Sequence, residues 1–206
     1  MPFSSRQRLA AANYRRGETT VSDSFARSLY HVCSPTLCRV KPSNLFTVHK
    51  QSCPNWRTDL QECRGVLERF GFGMSILEEN LRYLVVMVYH GDSLRRCLGK
   101  REPMRWLNAL GYSNTLSLEG KLAHLEQRFC KDRCPHEIGL FLGYPLEDVR
   151  GFIANKGKNS KYTGEWKVYG DLPRALRLFQ SYRDSRSWVM EQAKRGMGLE
   201  EILKAC

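Results

Sequence analysis

The sequence contains no uninterrupted apolar run near the roughly 20 residues of a membrane-spanning helix, so no helical membrane anchor is expected. It has no glycine-rich dinucleotide fingerprint, no P-loop spacing, no nucleophile elbow and no paired carboxylates at metal-binding spacing, which leaves the familiar catalytic signatures unrepresented. Paired Cys-x-x-Cys clusters are missing too, which argues against a zinc ribbon. The arginines of MPFSSRQRLAAANYRRGETT precede no apolar segment, so no secretory signal is read there. No internal repeat or low-complexity block interrupts the chain. A cytoplasmic protein without disulfides is the expectation that follows.

Acid is also scarce. Against 33 Lys and Arg stand 21 Asp and Glu, a formal charge of +12, which favours anionic partners: nucleic acid, phosphorylated molecules or acidic protein. The basic residues are dispersed along the chain, however, as on an ordinary solvated surface. The 206 residues, 42% of them hydrophobic, suffice for a single core. Cysteine is plentiful, with eight at positions 33, 38, 53, 63, 97, 130, 134 and 206. In a chain without export signals they are read as thiols, most of them buried as small apolar residues.

Residues 1–27 are polar and irregular and are expected to form a flexible basic arm. Residues 28–206 are expected to form one α+β domain, helix-dominated, around a small antiparallel sheet. Pro35 and Pro42 should break any long helix in LYHVCSPTLCRVKPSNLFTV, leaving SNLFTV as a short strand. Trp56, Leu60, Cys63, Leu67 and Phe70 share one helical face, ended by Gly71. LRYLVVMVY, apolar on both faces, reads as a central strand, with MSIL as its antiparallel partner. Asp92 is a candidate N-cap, and short helices are expected over MRWLNALGY and from Leu118 to Phe129. EWKVY alternates, Asp171 is placed to cap a long helix, and GLEEILKA closes the chain as a short one.

CPHEIGLFLGYPLEDVRGFIANKGK has the spacing of a helix-turn-helix-like corner over 135–156: Ile138, Gly139, Leu142, Gly143, Tyr144, Val149 and Phe152 fall where two helices locked across a glycine turn need them. As a groove reader it is poor. The second helix would present Glu147 and Asp148 to the phosphates, where Arg, Lys, Asn or Gln usually stand. Two acids suit a helix N-terminus, whose dipole they favour.

This block, with NKGK and EWKVYGD after it and SPTLCRVKPSNLF before it, resembles the bacterial family of unknown function numbered 3793, over roughly residues 28–199. In members of that family a histidine often directly precedes the position of Cys33, where this chain has Val32. The resemblance implies no activity or catalytic residue. It tilts expectation towards a redox or iron-linked role and a flavodoxin-like redox partner.

The candidate chemistry gathers around the corner. His136 and Glu137 are candidates for general acid–base or orienting work, against the plainer reading of Glu137 as support for a helix start. Lys41, Asn44, Lys156, Lys158 and Lys167 are candidates for holding an anionic group. Tyr144 and Trp166 would supply walls for a planar ligand, although such aromatics are more often core. Cys130, Cys134 and His136 form C-x3-C-x-H, a loose metal-ligand set that would need a fourth ligand such as Cys33 or Cys38. The expected function is therefore a protein binding a small anionic or planar ligand or cofactor, possible enzymatic action included. The alternatives are a nucleic-acid-binding regulator and a protein-interaction adaptor.

Overall fold

The structure, a computed structural model, describes residues 21–132 and 134–206, without the side chain of Asp132. The arm expected over 1–27 lies mostly outside the described residues. Its last part, from Asp23, is already helical, with Phe25 and Ala26 buried.

Helix α1 (Asp23–Leu37) follows from Phe25, Leu29, Cys33 and Leu37 at four-residue steps, all fully or almost fully buried. Pro35 does not break it, contrary to expectation. A proline has no amide to offer the carbonyl four residues back, here that of His31. The Nε of Arg186 donates to that carbonyl at 2.9 Å instead, a replacement from 155 residues away. The helix then ends as Arg39 takes a left-handed φ of 58° and the Pro35 carbonyl accepts from the amides of Val40 and Lys41.

Strand β1 (Ser43–His49), helix α2 (Trp56–Arg69), β2 (Phe72–Glu79) and β3 (Tyr83–His90) follow. The sheet order is β1-β3-β2 and both pairings are antiparallel, with Phe46 and Ile76 flanking Val86 and a bulge between Ile76 and Glu78. The central β3 is apolar on both faces because both are covered. Leu84, Val86 and Val88 join the core beneath α1 and α2, whereas Met87 joins the opposite core.

That second core is roofed by α3 (Gly91–Leu98), α4 (Arg101–Asn108), α5 (Leu118–Asp132), α6 (Ile138–Phe141) and α7 (Leu146–Ala154). The N-cap of α3 is His90, whose Nδ1 accepts from the Ser93 amide. Asp92, expected as the cap, lies inside the first turn and pairs with Arg95 at 2.7 Å. A two-strand hairpin, β4 (Tyr162–Thr163) with β5 (Lys167–Val168), lies against α8 (Leu172–Lys194), and α9 (Leu199–Ala205) closes the first core. Asp171 caps α8 by accepting from the Arg174 amide at 2.9 Å. The fold is α+β, helix-dominated around a small antiparallel sheet. No described helix is long and apolar enough to cross a membrane.

Candidate functional site

The corner is built by two close approaches. A Cβ on Gly139 would lie 2.8 Å from the Val149 side chain, so only glycine lets α6 meet α7. Gly143 turns the chain with φ 79°, and a Cβ there would lie 2.6 Å from the Pro42 ring. The first helix is only one turn long.

What α7 holds is the hairpin. The carboxylate of Asp148, 3% exposed, accepts from the Trp166 indole Nε1–H and from the amides of Tyr169 and Gly170, all at 2.7 Å. Three donors on one carboxylate make a charge-assisted brace. Gly164 in turn lets the hairpin sit on α8, since a Cβ there would lie 2.4 Å from the Phe179 ring. The hairpin therefore packs against one side of the first turn of α7, where Glu147 stays exposed.

Corner and hairpin enclose a cavity of about 550 Å³. Tyr144 and Trp166 stack along one side, their centroids 4.9 Å apart and rings 27° from parallel. Ile138, Val149 and Phe152 add apolar wall, and His136 touches Phe152 edge-on at 5.5 Å. Cys134 and Lys167 complete the rim. Glu165, also on the rim, is paired with Arg186 at 3.3 Å. Burial first, and then Glu165, pushes the Tyr144 hydroxyl up to about 12. Burial and the neighbouring Glu137 raise the Cys134 thiol as well, so the cavity presents a neutral phenol and a neutral thiol at pH 7.

Of the residues singled out from sequence, His136, Tyr144, Trp166, Lys167 and Cys134 converge here. The others do not line the cavity. Glu137 points into the protein, 2% exposed, paired with Arg128 Nε at 2.8 Å and accepting from the Tyr112 hydroxyl at 3.2 Å. Lys41 lies behind Tyr144, its Nζ 5.4 Å from that ring and 5.6 Å from Tyr182. Asn44 accepts from the Thr36 hydroxyl at 2.7 Å beside the sheet. Lys156 and Lys158 are exposed on the loop after α7. Cys130 is exposed on α5, and no group of three or more His, Cys, Asp or Glu able to hold a metal ion forms among the described residues. Sequence reasoning missed the bracing role of Asp148 and the pairing of Glu165 with Arg186, both of which join segments distant in the chain.

The match to a known family adds to this geometry. The model of the family described as Protein of unknown function (DUF3793) matches residues 29–203. The chain belongs to that family. It has no significant match among curated proteins or among solved structures.

Proposed function

We propose that this DUF3793 member binds a small planar molecule in the cavity between corner and hairpin. The observation that carries the reading is the 550 Å³ space walled by the stacked Tyr144–Trp166 pair. Its volume falls in the range of small-molecule sites, about 300–1,000 Å³, and apolar walls with few polar groups are typical of them. Flat aromatic walls favour a flat guest by offset stacking. His136 sits on the rim with its imidazole exposed, placed to orient the guest or exchange a proton with it. A flavin or haem as guest would give the protein a redox or iron-linked role.

Thermal denaturation of the full chain with riboflavin, haem, nucleosides and simple metal salts tests this. A ligand at 100 times its Kd adds about 2.7 kcal/mol of stability. In a chain of this size that is a Tm rise of roughly 5–10 °C. At least one planar compound should produce such a rise, and Thr163→Trp, an exposed change on the cavity wall, should abolish it. No rise with any planar compound, or an equal rise in Thr163→Trp, would sink the proposal.

A further inference from the structure

The cavity walls are mostly apolar. Of the two carboxylates that line them, Asp148 is held by three N–H donors and Glu165 by Arg186, which leaves the cations beside them without an acidic partner. Gly157, in the loop after α7, is wedged between two rim residues. Its carbonyl accepts from Lys167 Nζ, and a Cβ on it would lie 3.1 Å from the Phe152 ring and 3.8 Å from that same Nζ. The loop bearing Lys156 and Lys158, on either side of Gly157, is thereby pinned against the cavity mouth. Both side chains are exposed, and neither forms an ion pair with a described residue. Lys167 uses one of its three donors on Gly157 and has two to spare. From Arg150 to Gly164 the sequence has no Asp or Glu, and the one carboxylate that follows on the rim, Glu165, is matched by Arg186.

Lys167 on the rim of an apolar, aromatic-walled cavity, with Lys156 and Lys158 on the exposed loop beside it, thus gives three ammonium groups without acidic partners. A monoanionic carboxylate would satisfy one or two of them. A phosphate, with close to two negative charges and three acceptor oxygens, suits all three. We infer that the ligand is a free phosphorylated heterocycle of the mononucleotide kind, its ring against Tyr144 and Trp166 and its phosphate on Lys156, Lys158 and Lys167. This rests on the planar-ligand reading above and adds the chemistry of the second half of the guest.

Matched pairs separate the two claims: riboflavin with flavin mononucleotide, and adenosine with adenosine monophosphate, each titrated calorimetrically into the full chain. In at least one pair the phosphorylated member should bind tenfold or more tightly. The double variant Lys156→Ala/Lys158→Ala, altered only at exposed positions, should lose that advantage while keeping the affinity for the unphosphorylated partner. Equal affinities within both pairs overturn the phosphate assignment and leave the planar cavity standing. Absence of binding by all four overturns the phosphate assignment, and the planar-ligand reading falls with it if haem also fails to raise the Tm. A single-stranded oligonucleotide that binds while neither mononucleotide does also overturns the assignment, in favour of a strand-binding face.

Discussion

Lys41 takes an ammonium into the interior with 4% of its surface exposed and no ion pair among the described residues. Around it stand two tyrosine rings and, farther off, Glu165, the Cys33 thiol and the like charge of Arg186. Burial dominates, and its pKa falls from the ordinary 10.5 to about 8 despite Glu165. Below pH 8 the amine is charged in both states, and the folded chain bears the full desolvation penalty. Between about 8 and 10.5 the unfolded chain keeps a proton that the folded chain has shed, so this group's contribution to stability rises with pH. Relative to Lys41→Met, the native protein should therefore gain stability across that window, by up to about 3 kcal/mol at 1.36 kcal/mol per pKa unit. Urea titrations of both chains from pH 7 to 10.5 measure it, and taking the difference cancels most effects of the other titrating groups. A difference that stays flat with pH would mean that the amine is solvated rather than buried.

Among the elements, one carboxylate fastens the hairpin to α7. Asp148→Ala would leave the buried Trp166 indole N–H and two half-buried amides without their acceptor, at about 1–3 kcal/mol for each unsatisfied donor. With the two half-buried amides at the low end of that range, a total loss of roughly 3–5 kcal/mol in chemical denaturation is expected, together with freed hairpin amides in hydrogen exchange. Unchanged protection at Tyr169 and Gly170 would count against the brace. Much of the element order was legible beforehand, because it rests on local periodicity: the two-faced apolar run of β3, the alternating four- and three-residue spacing of α2, the Asp171 cap of α8 and the glycine turn of the corner. The failures come from partners distant in the chain and, at one helix end, from a local competitor. Pro35 is tolerated because Arg186, far along the chain, serves the carbonyl that a proline leaves bare. Asp92 yields the cap of α3 to His90. Asp148 read as a dipole-favouring acid, and its real partners lie 18 to 22 residues downstream. Of the candidate site, Tyr144 and His136 were legible as members of one corner and Trp166 as a candidate wall in the segment that follows it. Glu137 was not, because Arg128 and Tyr112 draw its carboxylate inward.

At the scale of the whole molecule, a three-stranded sheet with a core on each face carries at one end a corner and a hairpin that leave a space between them. The formal charge of +12 is spread widely, and beside that space Lys156, Lys158 and Lys167 form no ion pair with a described residue. Membership of the family identifies the chain without supplying an activity, so the claim about function stands on this one cavity. Four tryptophans make a direct measurement practical, because Trp166 lines the cavity while Trp56 belongs to the first core and Trp188 packs against it. The decisive experiment follows the four indole N–H resonances of nitrogen-15-labelled protein during titration with the planar compound that raises the Tm most. The Trp166 signal should shift progressively to saturation while those of Trp56 and Trp188 stay in place. A still Trp166 signal at saturating ligand would contradict the account.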